Sequence, residues 1–326
     1  MHVLSLFDGI SCGMVALERS GILVEKYHAY EIDKYATAIS KRNYPEIDYH
    51  GDVFYGNFRK YKNCDLLIGG SPCTYWSVAK KGRETTADGE GFRLFMQYVR
   101  ALEESNSKYF LYENNNSIHK NIKDEISKFL GVEPIMINSA LVSAQQRKRC
   151  YWTNIPNITQ PQDKEIYLKD ILVSGIPWQD KSYAYTTRCQ CATFKDTLKR
   201  HRHTIQGKCP TFTASDSFVY NNLVAVPVRI GHIGKGGLGE RIYSVYGKSV
   251  SMKANGGGGG AKTGLYKIDL PDGDYIIRKL YPIEAERLQT LPDNYTEGVS
   301  NTQRYKCIGN GWTVDVIAHI LGFIPK

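Results

Sequence analysis

Long apolar runs are missing from this 326-residue chain, and none approaches the roughly 20 residues that a membrane-spanning helix needs. That excludes an integral helical membrane protein. A hydrophobic content of 42% still suffices for one large core and a smaller module. No secretory leader is expected either, because MHVLSLF enters a strand-like run without a basic n-region or cleavage site. Eight cysteines in such a chain argue for free thiols in a reducing, cytoplasmic setting rather than a disulfide framework. Conventional zinc spacing is absent as well. Cys189-x-Cys191, His201-x-His203 and Cys209 lie close in sequence but depart from the usual C-x₂₋₄-C and H-x₃₋₅-H patterns, so no metal is expected.

The formal net charge is +9, and the excess is unevenly placed. Residues 155–276 hold 16 Lys and Arg against 10 Asp and Glu, residues 1–154 hold 20 against 18, and residues 277–326 hold 6 against 5. A polyanion would be gripped in the middle of the chain. A merely solvated basic surface is the plainer account of the same charge.

Residues 1–154 alternate between two patterns. HVLSLF, KYHAYEI, IDYHGDV, CDLLIGG, KYFLYEN and EPIMINSALV are short apolar runs rich in Val, Ile and Tyr, as strands require. Between them lie CGMVALERSG, KYATAISKRNY, FRLFMQYVRALEES and IKDEISKFLG, whose apolar residues recur at three and four; Gly21 and Gly131 stop two of these helices. The alternation predicts an α/β domain with a largely parallel sheet and helices on both faces. Past Asn154 the periodicity weakens and Gly-rich stretches take over, with LVAVPVRI, RIYSVYG and GLYKIDL as short strand candidates. Residues 155–276 therefore read as a smaller, irregular β-rich domain. A helical pattern resumes after Ile277.

Chemistry-bearing residues gather at the ends of the strand candidates. CDLLIGGSPC delivers Ser71, Pro72 and Cys73 onto a loop where open α/β sheets carry their sites. KYFLYENN places Glu113 at the end of another strand, and SAQQRKRCYW supplies Arg147 and Arg149 just before a further one. Their i, i+2 spacing lets both arginines face one side. LSLFDGISCG is a strand running into a Gly-containing turn and a helix. It lacks the full G-x-G-x-x-G that brings backbone close to a pyrophosphate, which favours a phosphate-free methyl donor over a dinucleotide. Glu31 ends the second strand, where a carboxylate can accept from ribose hydroxyls, and Asp52 ends the third, within reach of an adenine amine.

Taken in order, LSLFDGISCG, GGSPC, ENN, QQRKR, RKLYPIEAERLQTLPDNY and GNGWTVDVIAHI resemble the motifs of the DNA (cytosine-5)-methyltransferase family. The likeness covers most of the chain outside its middle. Its catalytic half is similar to the animal de novo enzymes, and its C-terminal third to bacterial and phage members. The resemblance implies a Rossmann-like S-adenosylmethionine-dependent fold, formed discontinuously by residues 1–154 and 277–326, with residues 155–276 as a target-recognition domain. It implies that Phe7, Asp8, Gly9, Glu31, Ile32, Asp52, Val53, Pro72, Leu94 and Asn310 hold S-adenosylmethionine, although Phe7 and Leu94 also suit a core. Ser11 and Cys12 replace two family glycines, Thr74 replaces a glutamine after the cysteine, and Asn115 replaces a valine. These departures are expected to tune the site rather than disable it.

The implied chemistry explains the residue types. Addition of the Cys73 thiolate, favoured by a neighbouring arginine, to cytosine carbon 6 makes carbon 5 nucleophilic. Glu113, holding a proton, neutralises ring nitrogen 3 and reads the exocyclic amine. Arg147 would contact the cytosine carbonyl and a flanking phosphate, and Arg149 would hold Glu113. The target base must be flipped out of the duplex, with TYWSVAKKGRETTADGEG as a mobile lid that brings Ser77, Lys80, Lys81 and Arg83 to DNA. Arg188, Lys199, Arg200, Arg202, Arg229, Lys235, Arg241, Lys248 and Lys253 are the expected phosphate or base contacts of the central domain. The glycines at 256–260 suit either close approach to DNA or a flexible connection. Expected partners are double-stranded DNA and a cognate restriction endonuclease, unless a phage or mobile element encodes the enzyme alone; no membrane is expected. Two alternatives stay open: an RNA cytosine methyltransferase on the same fold, and a DNA-binding protein that keeps the scaffold without turnover.

Overall fold

A computed structural model describes residues 1–77, 80–173, 184–186, 226–232, 236–237, 239–252, 264–269 and 275–325. Seven strands form the main sheet: β1 (His2–Leu6), β2 (Lys26–Tyr30), β3 (Asp48–Tyr49), β4 (Leu66–Gly69), β5 (Tyr109–Asn115), β6 (Ile135–Asn138) and β7 (Lys148–Thr153). Their order is β3-β2-β1-β4-β5-β7-β6. The first five strands pair in parallel, because helices carry the chain back between most of them. Strand β7 is antiparallel to both β5 and β6. The link from β6 to β7 holds only a short helical turn, too little for a parallel crossover. The largely parallel sheet of the sequence reading therefore carries one reversed strand.

Both faces of the sheet are covered. Leu66, Ile68 and Leu111 point to one side, where they meet α1 (Cys12–Arg19), α2 (Lys34–Asn43) and the C-terminal helix α7 (Val314–Leu321). Leu4, Leu67, Phe110 and Tyr112 point to the other, against α3 (Glu90–Ser105) and α4 (Lys120–Leu130). This period-two alternation of buried apolar residues is what a sheet buried on both faces demands. Gly131 ends α4 in the left-handed region at φ 69, the conformation that favours glycine there. Helix α7 returns to α1, tied by Arg19 to Asp315 at 2.5 Å.

A second sheet takes the order β8-β12-β11-β10-β9, from Ala184–Thr186, Tyr275–Arg278, Leu265–Asp269, Arg241–Ser244 and Arg229–His232 respectively. Its core is small: Ile230, Ile242, Leu265 and Ile277. Strand β12 runs through the boundary expected between residues 276 and 277, because Ile277 and Arg278 pair with Lys267 and Tyr266. Of LVAVPVRI, residues 226–230 are described and enter a strand at Arg229; Pro227 has no N–H, and the carbonyls of Val226 and Val228 accept from the N–H groups of Lys248 and Ser244.

The two parts meet along one seam. Residues 249–252 lie beside the QQR stretch: Ser249 N–H donates to Ala144, Gln146 N–H to Ser249, and Met252 N–H to the Gln145 side chain. Lys248, expected on DNA, is instead fully buried there, and its ammonium donates to the carbonyls of Ser143 and Ile166. A buried ammonium needs such acceptors, so its position corrects the expectation. Helices α5 (Pro282–Leu288) and α6 (Asn301–Asn310) follow β12, and Arg278 and Glu284, both buried, form a two-point ion pair at 2.7 and 2.6 Å beneath them.

Candidate active site

The loop after β4 is shaped by a close approach. A Cβ on Gly70 would stand 2.9 Å from the Glu113 carbonyl and 3.1 Å from Glu113 Oε2, so only glycine lets the two strand ends lie this near. Asn114 Nδ2 donates to the Ser71 carbonyl at 3.2 Å, and the Ser71 hydroxyl meets Tyr112 OH at 2.6 Å. These bonds pin the loop to β5. Cys73 then opens a short 3-10 turn, Cys73–Tyr75, and is partly exposed. It differs from the other described cysteines, which are all buried. Burial pushes the Cys12 and Cys307 thiols up to about 12 and raises Cys64 and Cys150 as well, leaving them as inert core groups.

Glu113 is gripped at both oxygens. Arg149 Nε lies 2.8 Å from Oε1, as expected of that arginine, and Trp312 Nε1 donates to Oε2 at 3.0 Å. Arg147 behaves differently from the expectation. It is 4% exposed, and its terminal nitrogens donate to the carbonyls of Met252, Gly309 and Gly311 at 3.1, 3.1 and 3.0 Å. Burial, and then the neighbouring Arg149, lower its pKa to about 10. Its guanidinium is a strut between the central domain and the α6–α7 turn, because buried carbonyls compete for the donors that a base or phosphate would need.

All four candidate catalytic residues line one cavity of about 490 Å³ with all ten candidate cofactor residues. The FDGIS loop enters it with Phe7, Gly9 and Ser11 each at positive φ, and the two that are not glycine sit in a conformation unusual for them. Asp8 lines the cavity but spends its carboxylate on the loop itself, accepting from Ser5, Ser11 and Tyr27, each at 2.6 Å. Glu31 accepts from the N–H groups of Gly9, Ile32 and Asp33 at 2.8, 2.9 and 2.7 Å. Burial raises the Glu31 pKa, while the Asp33 and Gly9 N–H groups act against that rise. Asp52 accepts from Phe54 N–H at 3.0 Å. Ile32 is 76% exposed at the rim, and Phe7 and Leu94 open into the cavity instead of being sealed in the core.

This donor and acceptor set fits S-adenosylmethionine. Two carboxylates suit hydroxyl and amine donors, apolar side chains at the rim suit a purine face, and the volume lies in the range of small-molecule sites.

The stretch after Cys73 is anchored where it is described. Trp76, fully buried, donates to Glu84 at 3.0 Å, and Glu84 also accepts from Gly91 N–H in the first turn of α3. Arg83 donates to the Ser117 carbonyl at 2.6 Å, and Asn115 holds Ser117 in turn. The Lys80 ammonium stands 4.4 Å from the centre of the Tyr75 ring; Lys80 and Lys81 are exposed and Ser77 half-buried. Arg229 is exposed on β9 and Arg241 half-buried on β10. Arg188, Lys199, Arg200, Arg202, Lys235, Lys253, residues 256–260 and the Cys189, Cys191, His201, His203, Cys209 group lie outside the described residues. Among the described residues no His, Cys, Asp and Glu grouping suits a metal.

Trp312 is the site residue that sequence reasoning passed over. It stands in GNGW, two residues beyond Asn310, and its indole N–H was the available signal: a polar donor next to a cavity-lining asparagine.

The family model for C-5 cytosine-specific DNA methylases matches residues 1–326. The chain is similar to the type II methyltransferase M.HhaI of Haemophilus parahaemolyticus, at 28% identity over 98% of this chain and 93% of that protein. It is also similar to the orphan methyltransferase M.SPRI of Bacillus phage SPR, at 26% identity over 98% and 96%. Among solved structures, the Entamoeba histolytica methyltransferase EhMeth shares the fold with a TM-score of 0.70 at 16% identity, over 99% of this chain and 97% of that one. Dnmt2 of S. pombe shares it with a TM-score of 0.65 at 15% identity, over 99% and 97%.

Proposed function

For a chain that belongs to the C-5 cytosine-specific DNA methylase family, we propose that Cys73 is the nucleophile and Glu113 the proton donor toward a cytosine flipped out of a specific duplex sequence. The enzyme is a DNA cytosine-5 methyltransferase and uses S-adenosylmethionine. One observation carries the finer reading. The sole partly exposed thiol among the described cysteines and a doubly gripped carboxylate open into the same cavity as Glu31 and Asp52.

Bound S-adenosylmethionine supplies a methyl group on a sulfonium, an electrophile for carbon 5. Glu31 and Asp52 orient the donor. The Cys73 sulfur adds to carbon 6 while Glu113 passes a proton to ring nitrogen 3, so the ring electrons reach carbon 5 without charge accumulating. Carbon 5 takes the methyl group and the demethylated donor, S-adenosylhomocysteine, is released; loss of the carbon 5 proton to a base then expels the Cys73 thiolate, and ring nitrogen 3 returns its proton to Glu113. Arg149 holds Glu113, and Arg147 braces the cavity wall. Such a site cannot reach a base inside a stacked duplex, so the substrate cytosine enters extrahelically, with Ser77, Lys80, Lys81 and Arg83 closing behind it. Residues 155–276 supply the sequence choice through Arg188, Arg202, Arg229 and Arg241. The enzyme works in the cytoplasm, either beside a restriction endonuclease or as an orphan; relatives of both kinds support this pair of roles.

Base-resolution cytosine methylation sequencing of a bacterial host without cytosine methylation of its own, expressing this chain, tests the reading. Methylation at one short motif is expected. Unmethylated DNA from folded, cofactor-binding protein would overturn it and direct attention to RNA or to an inactive DNA binder.

A further inference from the structure

We propose that Trp312 is a positioning residue for proton transfer, acting through Glu113 rather than on the cytosine or the methyl donor. The inference rests on Glu113 being the proton donor. Its carboxylate is held by one donor on each oxygen, from two different elements: Arg149 Nε on β7 and Trp312 Nε1 in the turn between α6 and α7. The terminal torsion of a glutamate is soft, so a single donor would leave the carboxylate free to swing about the Oε1 contact. The second donor fixes its plane.

The support for the indole is itself rigid. The Gly311 carbonyl, just before Trp312, accepts from Arg147 and from Gln289 Nε2, and the following Thr313 hydroxyl donates to Gln289 Oε1. Gly70 keeps the junction open on the Glu113 side, since a Cβ there would stand 2.9 Å from the Glu113 carbonyl and 3.1 Å from its Oε2, the oxygen that accepts from Trp312. The bond also changes in strength along the reaction. When Glu113 gives its proton to ring nitrogen 3, the carboxyl becomes a carboxylate, and the indole N–H bond becomes charge-assisted. Trp312 thus stabilises the state after transfer more than the state before it.

The test is Trp312→Phe in the full chain, alongside Glu113→Gln. Phenylalanine keeps an aromatic ring and removes the donor. We expect kcat to fall about 10-fold, with the S-adenosylmethionine Kd by calorimetry, the KM for DNA and the melting temperature close to wild type. Replacing Trp312 with benzothienylalanine, which carries sulfur in place of the N–H at nearly the same shape, should reproduce that fall. Full activity of this isostere would overturn the proposal, because packing would then account for any loss in Trp312→Phe. If Glu113→Gln is inactive and Trp312→Phe is not impaired, the role of Trp312 alone fails. If Glu113→Gln turns over normally, the assignment of Glu113 fails with it.

Discussion

Replacing Arg147 with lysine keeps a positive charge yet should behave as a severe change. The guanidinium makes three bonds to carbonyls from two separate segments of chain, Met252 in the central domain and Gly309 and Gly311 at the α6–α7 turn. It is buried, so none of those acceptors can fall back on bulk water. A lysine ammonium is shorter and lacks the planar fork that spans the three carbonyls; held at one of them it loses the other two bonds, and of these acceptors only Gly311 keeps another donor among the described residues, Gln289 Nε2. Hydrogen bonds to charged groups contribute about 1.5–3 kcal/mol each, so losing two costs at least about 3 kcal/mol. At roughly 2 °C per kcal/mol for a chain of this size, the apparent melting temperature should drop by about 6 °C. The damage should also reach turnover, because the same carbonyls position Asn310 and Trp312 at the cavity. Thermal melting monitored by circular dichroism, paired with single-turnover methylation, measures both. A lysine variant that melts within 1–2 °C of wild type (about 1 kcal/mol) and methylates at the wild-type rate would refute the strut reading of Arg147.

Cys73→Ser should lower methylation by about 10³-fold or more while S-adenosylmethionine binding stays near wild type, since a hydroxyl is a far weaker nucleophile; substantial residual turnover would remove Cys73 from the mechanism. Glu31→Ala should weaken S-adenosylmethionine binding, and an unchanged Kd by calorimetry would take Glu31 out of the site. In wild type the Glu31 carboxyl is raised by burial, so the ionised form that accepts from hydroxyls is depleted as pH falls through that raised value. Cofactor affinity should decline in that direction and recover toward neutral pH. The stability contribution of the same group has the opposite sign, present below the unfolded pKa and lost as pH rises through the folded one. A pH series of cofactor-free melts should show that component, absent in Glu31→Ala. Exchanging residues 155–276 for the corresponding module of another family member should transfer the methylated motif; an active chimera that keeps the original motif would place recognition elsewhere.

Local chemistry made much of this protein legible from its sequence. The period-two runs of β1, β4 and β5 and the three-and-four spacing of α1 to α4 announce an α/β sheet with two buried faces, because burial on each face requires that spacing. Strand ends also mark the site: Cys73, Glu113, Glu31 and Asp52 each follow an apolar run, and in a sheet of parallel strands such ends converge on one edge. Gly70 and Pro72 identify a tight loop in front of Cys73 for the same local reason.

What remained hidden depends on contacts between residues distant in sequence. Arg147 and Arg149 share a residue type in QQRKR, and the family resemblance gives Arg149 to Glu113 and Arg147 to the cytosine and a phosphate. Only the packing of Met252 and the α6–α7 turn makes Arg147 a buried strut instead. Lys248 looks like a DNA contact until the seam encloses it between Ser143 and Ile166. The indole of Trp312 becomes part of the site only when a chain segment almost 200 positions away, |i−j| = 199, brings Glu113 to within 3.0 Å. Residue type and periodicity determined which groups could do chemistry and which edge of the sheet they occupy. Tertiary structure alone decided which buried acceptors claim which donors, because hydrogen-bond demand in a desolvated interior is set by whatever surfaces packing brings together.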